Sequence, residues 1–569
     1  MLTLLAAAGP ALAALVPSDP PRPLLVVDVR LAPADDAKPH SILVRDGRIE
    51  RIVEGRLDAP PDARTIEGQG ALVLPGFVDA YSFTGCATPE PKAQRDLPPK
   101  TSTDVLIDMR AANRKGIQPA FRAADVFEAG EALEDWRKQG FGALLSAPSG
   151  QLLAGTSALV VTRQAATRDA IVRESVFDHA SFRAGGSGYP GTLMGSIAQI
   201  RQFLLDAARH GEILRRRAQG QPGPRPPFDP DLLAAQELLA GRRVVCAAVD
   251  AADDVDRFAA LAEAHSLRLA VAGGREAWKR AKLLAARQAP VILTPPGGEE
   301  PADPDSEDTQ KKKKEPKAED APWTYTEPLA SKREKRRVWA EERDGARVLA
   351  EAGVRIAFGT GKEKPKDLLE RVRKLVAGGL PREVALTALT AGAAEILGAP
   401  GLGRLEHGAD ATFALWTKDP LVEKAAAVRW MFVDGHAHEF TVEAQKDAKQ
   451  DGAEGPGEGV DASGTWAITF EDPAIPKGLL EITMKKDGAV EGTLRGTSPA
   501  GEPVSAAMAG TVRGTALKLS GLLVTDDFRA ELVFEGLLDG DVWKGSLSGV
   551  LPQPVGFEAQ RTPKREETR

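Results

Sequence analysis

Short apolar runs alternate with amphipathic stretches through the middle of the chain, between residues 75 and 399. The runs have the length of buried strands, and the amphipathic stretches have helical spacing. This alternation indicates a parallel sheet covered by helices, for which an eightfold α/β barrel is the natural closure. Beyond the first strand, we predict strands Phe141–Ala147, Arg243–Val249, Leu267–Gly273, Pro290–Thr294 and Val354–Phe358, and helices Ala123–Gln139, Leu193–Arg209, Leu232–Leu239, Val255–Ser266, Ala277–Ala286, Trp339–Ala352, Asp367–Ala377 and Glu383–Leu397.

The two ends of the chain have a different pattern. Residues Arg22 to Val53 predict a strand and a hairpin, because the pair Asp46-Gly47 supplies the positive φ that a tight turn needs. From Gly464 onward, short stretches alternate apolar and polar residues between turns. This pattern predicts an antiparallel sandwich or barrel, which we place at residues 464–556.

Two charged segments interrupt these patterns. Residues 297–337 are rich in proline, acidic residues and lysine, and their composition predicts a disordered, solvated insertion in the barrel. The alternative is a lid or docking arm at the barrel mouth that uses Trp323 and Tyr325. Residues 441–463 are charged and glycine-rich, which is typical of a linker between domains.

Length, charge and cysteine content narrow the class of protein. The 569 residues suffice for about three or four domains, or fewer if one is a large barrel. A net charge of -7 gives no reason to expect nucleic acid or an anionic membrane as a partner, so we expect a small-molecule ligand or substrate. Cys86 and Cys246 are too few for a disulfide framework or a cysteine-based zinc site.

The first 21 residues suggest export. An apolar stretch ends in Ala11-Leu12-Ala13, the small-x-small form of a cleavage site, and prolines follow it. The basic residues that begin a secretory signal are missing, so a cytoplasmic location is the alternative. We expect a periplasmic or extracellular protein without a membrane span, because no other apolar run is long enough to cross a bilayer.

The run from Leu72 to Gly85 contains the most specific motif, Pro75-Gly76-Phe77-Val78-Asp79-Ala80-Tyr81-Ser82-Phe83. It resembles the first barrel strand of the amidohydrolase superfamily, Pro-Gly-Phe-Ile/Val-Asp-x-His-x-His. Two later stretches, Gly403–Trp416 and Val428–His436, resemble the closing segments of that family's small β-sandwich. The resemblance implies a TIM-type (β/α)8 barrel over residues 75–399, a composite β-sandwich from residues 22–74 and 400–440, and the separate C-terminal all-β domain.

Three further segments resemble one branch of the superfamily, the exported imidazolonepropionase-like bacterial proteins. They are Arg114–Pro119, Gly188–Gln202 and Gly273–Lys279. The resemblance runs from about Leu24 to Gly435 and says little about a substrate.

The same resemblance implies that the family's metal ligands are substituted here. The family binds zinc or another divalent metal, and its two histidines on the first strand correspond to Tyr81 and Phe83. Residues 247–250 and Gly273-Gly274 stand where two further histidines would be expected, and Gly361 stands in place of the catalytic aspartate. Since a metal needs about three protein ligands around one point, we predict no metal and no cofactor.

The histidines provide no replacement cluster. Of the seven, only His179 is a candidate for the barrel mouth, and we favour a surface histidine in a loop at that position. Seven residues follow predicted strands at the end where barrel sites are built, and we take them as pocket candidates: Tyr81, Phe83, Thr84, Asp250, Arg275, Thr360 and Gly361. An arginine with an aromatic pair is suited to a carboxylate or a sugar-like ligand.

Three functions stay open at this point. By resemblance the chain is a hydrolase of non-peptide carbon-nitrogen bonds, and we expect the usual metal-dependent activity to be lost. The first alternative is a non-catalytic protein that binds a small molecule in the barrel pocket. The second is hydrolysis by unrelated residues in the same pocket. The catalytic residues, the oligomeric state and the role of the β domain do not follow from the sequence.

Overall fold

The computed structural model describes residues 21–31, 38–90, 114–128, 130, 132–186, 188–223, 225–226, 228–298, 300–306, 327–441, 461–470, 477–484, 489–497, 503–513, 515–524, 529–548 and 555–562. The export segment, Trp323, Tyr325 and most of the proposed linker lie outside these residues. The chain divides into two compact units, Met1–Glu443 and Ala444–Arg569. Within the described part of the chain, no helix is both long and apolar enough to span a membrane.

A seven-stranded sheet joins two distant parts of the first unit. Its strand order is β17-β16-β15-β4-β1-β2-β3. The pairing of β4 with β15 brings Leu74 opposite Ala414 and connects the two parts. The strands are β1 (Leu24–Leu31), β2 (His40–Arg45), β3 (Arg48–Glu54), β4 (Arg64–Pro75), β15 (Phe413–Trp416), β16 (Val428–Val433) and β17 (His436–Glu439).

The hairpin between β2 and β3 is confirmed. Arg45 pairs with Arg48 across a two-residue turn, and both Asp46 and Gly47 have positive φ. Apolar side chains of the seven-stranded sheet pack into one buried cluster, which includes Val26 of β1, Ile42 of β2 and Phe432 of β16.

Two further sheets form the part of the first unit that carries the site. One has the order β14-β13-β12-β11-β10-β7 and the other β5-β6-β8-β9. Strands β10 to β14 are parallel to one another, as the alternation of strand and helix predicts, whereas β7 is antiparallel to β10. The strands are β5 (Phe77–Ser82), β6 (Phe141–Ser146), β7 (Leu153–Thr156), β8 (Ala158–Val161), β9 (Ile171–Arg173), β10 (Phe177–Ala180), β11 (Val244–Val249), β12 (Arg268–Gly273), β13 (Val291–Leu293) and β14 (Ile356–Phe358).

The two sheets meet at β5 and at the end of β14. An isolated parallel bridge joins Ser82 to Gly361, the Gly361 N–H donates to the Tyr81 carbonyl at 2.7 Å, and the Phe83 N–H donates to the Gly361 carbonyl at 3.0 Å. The ends of β5 and β14 are therefore held together by direct backbone contacts.

Helices follow most of these strands and bury one face against them. The predicted helix Leu193–Arg209 is longer in the structure, and Ala123–Gln139 and Glu383–Leu397 are each divided in two. The second division falls at Thr390, whose backbone is not helical. The α-helices are Ala123–Val126, Leu133–Lys138, Thr167–Ala170, Leu193–Ala218, Pro230–Leu239, Ala252–Ala264, Ala281–Ala286, Leu329–Glu351, Pro365–Ala377, Arg382–Leu389 and Ala391–Ile396, with a 3-10 helix at Ala277–Arg280.

The prediction of disorder over residues 297–337 is wrong at its end. Residues 329–337 are helical and form the first turns of Leu329–Glu351. Their charges are satisfied by ion pairs, with Arg337 contacting both Glu334 and Glu341 along the helix and Arg333 contacting Asp305 at 2.7 Å. A high charge density therefore reflects an exposed helix surface here.

The second unit contains a closed antiparallel barrel of eight strands in sequential order, which confirms the all-β prediction. Trp466, Phe534, Trp543 and Phe557 pack in its interior. The strands are β18 (Gly464–Phe470), β19 (Gly478–Met484), β20 (Ala489–Thr497), β21 (Pro503–Arg513), β22 (Ala516–Val524), β23 (Arg529–Asp539), β24 (Val542–Ser548) and β25 (Val555–Thr562).

The predicted end of this β domain, residue 556, falls inside β25. That strand closes the barrel by pairing with both β24 and β18, and its Phe557 and Ala559 are buried. The residues after Val555 alternate buried and exposed positions, so the charged side chains Glu558 and Arg561 belong to the outer face of a strand.

Candidate functional site

A cavity of about 970 Å³ opens where β5 and β10 to β14 end. Side chains that follow these strands form its wall, and Glu342 joins them from the helix Leu329–Glu351. Parallel strands bring the residues after their carboxyl ends to one edge of the sheet, so segments far apart in sequence contribute to one space.

Six of the seven predicted pocket residues line this cavity: Tyr81, Phe83, Asp250, Arg275, Thr360 and Gly361. The seventh, Thr84, is not part of the lining. The hydroxyl of Thr84 accepts a hydrogen bond from the Ser82 hydroxyl at 3.1 Å, and its carbonyl accepts one from the Ser146 hydroxyl at 2.7 Å. These bonds bind Thr84 to the end of β6, so it supports the wall.

Tyr81 is an aromatic residue in the deepest part of the site. Its ring stacks on His179 with centroids 5.7 Å apart and meets the edge of Phe83 at 5.2 Å. Only 6% of the residue is exposed, and burial raises the pKa of the phenol, with smaller contributions from Cys246 and Asp250. The hydroxyl is therefore a hydrogen-bond donor at neutral pH.

His179 is buried, and the prediction of a surface histidine in a loop is wrong. It lies within β10, opposite Cys246 of β11, and is 3% exposed. Neither ring nitrogen has a hydrogen-bond partner among the described residues, and burial lowers the pKa of His179 to about 3. The imidazole is neutral at physiological pH. The short β10 was missed because Asp178 and His179 interrupt its apolar pattern.

Asp79 is a buried carboxylate that the candidate residues did not include. It accepts hydrogen bonds from the backbone N–H groups of Tyr81 and Thr360, from the Thr360 hydroxyl at 2.7 Å and from the Trp136 indole at 3.1 Å. Burial raises the pKa of Asp79 to about 6, against the opposing effect of these donors. Asp79 thus connects β5, the end of β14 and the helix Leu133–Lys138. The sequence feature that could have identified Asp79 is its position as a single carboxylate inside an apolar strand.

Glycine is required in the segment that directly follows β14, where it passes β5. A Cβ at Gly359 would lie 2.6 Å from the Tyr81 Cβ and 2.7 Å from the Tyr81 carbonyl oxygen. Gly361 has a φ of +59°, a backbone conformation that side chains disfavour. The absence of a side chain at Gly359 lets Tyr81 occupy the space beside the strand.

Charged side chains around the cavity are mostly paired with one another. Lys279 contacts Glu276 at 2.7 Å, and the Glu276 carboxylate also accepts from the Ala252 N–H at 3.0 Å. Arg275 approaches Glu342 at 3.8 Å, and burial raises the pKa of that carboxyl, partly offset by Arg275. Glu342 escaped sequence analysis because its helix reaches the site only through tertiary packing.

The fold of the first unit matches a solved structure. A crystal structure of an amidohydrolase from Thermotoga maritima MSB8 superposes with a TM-score of 0.54 at 21% identity, covering 73% of this chain and 99% of that one. In addition, residues 286–447 match the family model described as "Amidohydrolase family". Residues 286–447 therefore resemble the amidohydrolase family, and the first unit shares the fold of the Thermotoga maritima protein.

Two other solved structures show lower similarity. The N-isopropylammelide isopropylaminohydrolase from Burkholderia multivorans ATCC 17616 has 16% identity and a TM-score of 0.40, with 73% of this chain and 98% of that chain covered. The 5-methylcytosine deaminase from Klebsiella pneumoniae has 13% identity and a TM-score of 0.39, with 74% and 98% covered. None of the curated proteins matches this sequence.

The donors around the cavity do not fit the divalent metal that the superfamily resemblance implies. Tyr81 lies near the end of β5 and Phe83 follows it, Ala248 and Val249 end β11, and Gly361 follows β14. Among the residues described by the structure, no group of three or more histidine, cysteine, aspartate or glutamate side chains is placed to hold a metal ion. A neutral phenol and a benzene ring do not replace two imidazoles as ligands.

Proposed function

We propose that this superfamily member binds a small organic molecule in the cavity and does not carry out metal-dependent hydrolysis. One observation carries the proposal, namely the presence of Tyr81, Phe83 and Gly361 at the ends of β5 and β14. Metal-assisted hydrolysis requires a Lewis acid held by several ligands, and these residues supply none.

The cavity has the features of a binding site. Its volume of about 970 Å³ is at the upper end of the range for pockets that hold small molecules. Aromatic surface from Tyr81 and Phe83 adjoins charged groups such as Asp250 and Arg275. Apolar surface with a few polar groups is the usual composition of such pockets.

We infer that the two sheets of the first unit close as a TIM-type (β/α)8 barrel. The contacts between Tyr81, Ser82, Phe83 and Gly361 support closure on one side. On the other side, Ser157 lies between β7 and β8 and exchanges backbone hydrogen bonds with the start of β10. In such a barrel the cavity would be the mouth at which enzymes of this architecture bind substrates.

The second candidate is hydrolysis of a non-peptide carbon-nitrogen bond without metal. The Asp250 carboxylate favours it, since that group lines the cavity and has no hydrogen bond or ion pair among the described residues. A free carboxylate near a phenol can act as a general base. The imidazolonepropionase-like branch, and export from the cytoplasm, are further proposals that rest on the sequence motifs alone.

Activity assays with added metal test the proposal. We expect no turnover of cyclic amides or acyl amino acids, either as purified or after incubation with zinc or manganese. Turnover that a chelator abolishes would reject the proposal. Turnover that is insensitive to chelator and lost in Asp250→Asn would support the second candidate instead.

A further inference from the structure

The charges that line the cavity differ in whether they already have a partner. Glu276 pairs with Lys279, Glu342 with Arg275, and Asp254 with Arg257 at 2.6 Å. Arg371 lies 3.6 Å from Glu363 and donates to the Pro295 carbonyl at 3.1 Å. These groups compensate one another, so they leave little net charge for a ligand.

Three charged side chains in the lining remain without a partner. Within the described part of the chain, Arg183, Lys362 and Asp250 form no ion pair and no side-chain hydrogen bond. Arg183 follows β10, Lys362 follows β14, and both are exposed at the rim. When Lys279 and Arg257, which pair with lining carboxylates from outside the lining, are counted, Arg183 and Lys362 against Asp250 leave one uncompensated positive charge.

The Asp250 carboxylate is directed along the wall of the site. Its Oδ1 lies against Gly273, where a Cβ would come within 2.8 Å. Burial, with a smaller contribution from Asp250, raises the pKa of the Tyr81 phenol, and the hydroxyl is protonated at neutral pH. A buried hydroxyl that can donate calls for an acceptor atom on the ligand.

We propose that the cavity recognises a small organic anion with one or more carboxylates, through Lys362 and Arg183 at its rim and the Tyr81 hydroxyl at its floor. Carboxylate oxygens accept hydrogen bonds from all three groups, and bonds to charged donors are the stronger ones. In the sequence, Arg275 is the arginine among the pocket candidates that is suited to a carboxylate or a sugar-like ligand, but its side chain approaches Glu342. This inference rests on the proposed function and specifies its ligand.

Three probes of equal length test the charge preference. Isothermal titration at low salt compares glutarate, its neutral diamide glutaramide and the dication 1,5-diaminopentane. We expect glutarate to bind, and we expect the diamide and the diamine to bind at least tenfold more weakly or not at all. Equal or tighter binding of the diamide or the diamine would overturn the proposal, as would the absence of binding by all three.

Single substitutions test which side chains contact the bound anion. Lys362→Ala and Arg183→Ala should each weaken glutarate binding about tenfold, the effect of losing one charged hydrogen bond. Tyr81→Phe keeps the ring and should also weaken binding by removing the hydroxyl. Lys366→Ala is the matched control, because Lys366 is exposed on the neighbouring helix and outside the lining. Unchanged affinity in both Lys362→Ala and Arg183→Ala would overturn the assignment.

The outcomes separate this inference from the proposed function. A protein that lacks metal-dependent turnover but prefers the neutral or cationic probe keeps the proposed function and loses the anionic ligand. A protein with chelator-sensitive turnover loses the proposed function, whichever probe it prefers.

Discussion

Asp79 illustrates how a single buried residue organises the site. Its carboxylate accepts four hydrogen bonds, from Tyr81, Trp136 and twice from Thr360. Without it, these donors would be buried with no acceptor, and each orphaned donor costs about 1–3 kcal/mol. The cost of burying the carboxylate itself, which raises the pKa of Asp79 to about 6, offsets part of that sum.

We therefore expect Asp79→Ala to lower the free energy of unfolding by about 3 kcal/mol at pH 7. Thr360→Val removes only one of the four bonds and should cost about 1 kcal/mol. Urea denaturation of the two variants and the parent measures both values. An Asp79→Ala protein as stable as the parent would show that burial of the carboxylate outweighs its bonds.

Because His179 is buried as a neutral imidazole, we expect the free energy of unfolding to decrease as the pH falls. Burial lowers the pKa of His179 to about 3, whereas an unfolded histidine titrates near 6.5. The unfolded chain thus binds a proton that the folded chain excludes, and stability from this residue is present above pH 6.5 and lost as the pH falls toward 3. Between pH 7.5 and 5.0 the loss amounts to about 2 kcal/mol.

Replacing His179 with leucine should reduce the loss of stability between pH 7.5 and 5.0 by that amount. Urea denaturation at the two pH values, for the parent and for His179→Leu, provides the comparison. His265→Leu is the control, because His265 is only partly buried and stands at a helix end. Equal pH dependence in the parent and His179→Leu would contradict a buried neutral imidazole.

At the scale of elements, the junction of β5 and the end of β14 is the tightest contact of the site. A Cβ at Gly359 would overlap the backbone and the Cβ of Tyr81. Overpacking of this kind costs about 1–3 kcal/mol, so Gly359→Ala should be destabilising by that amount. Gly223→Ala meets no atom within 4 Å and should leave the melting temperature almost unchanged. If Gly359→Ala and Gly223→Ala had the same melting temperature, the junction of β5 and the end of β14 would be able to accommodate the added methyl group.

The last strand of the C-terminal barrel allows an independent test. A chain that ends at residue 556 lacks most of β25, so β18 and β24 each lose one of their two partner strands. We expect hydrogen exchange in β18 and β24 to become fast in this truncation, because open strand edges are unstable. A chain that ends at residue 562 keeps the whole strand and should retain slow exchange. Slow exchange in both truncations would contradict closure by β25.

The elements that sequence analysis predicted well are those with strong local signals. The turn at Asp46-Gly47, the parallel strands β11 and β12 and the alternating strands of the C-terminal barrel each have a recognisable pattern. Residues 329–337 were misjudged because composition alone does not distinguish a disordered charged segment from a helix whose charges pair at i+3 and i+4.

Only the part of the candidate site that lies at strand ends could be predicted from the sequence. Tyr81, Phe83 and Asp250 lie at or directly after the ends of apolar strands, so their position at one edge can be derived from topology. Glu342 comes from a helix, and the unpaired state of Arg183 and Lys362 depends on where every other charge lies. Such pairing is a property of the tertiary structure, and no spacing in the sequence encodes it.

At the scale of the whole molecule, the chain combines a unit of amidohydrolase fold with a separate closed β-barrel. Tyr81, Phe83 and Gly361 line the cavity of the first unit at the ends of β5 and β14, and the sequence resemblance implies that the superfamily's metal ligands would stand at these positions. We therefore propose that the chain shares the fold of the superfamily and lacks its metal-dependent chemistry.

The metal content of the purified protein tests this account most directly. Inductively coupled plasma mass spectrometry, after dialysis in metal-free buffer and again after reconstitution with zinc and desalting, counts the ions held per chain. We predict well below one transition-metal ion per chain in both samples. One or more tightly held ions per chain, lost when Tyr81 or Asp250 is replaced by alanine, would contradict it.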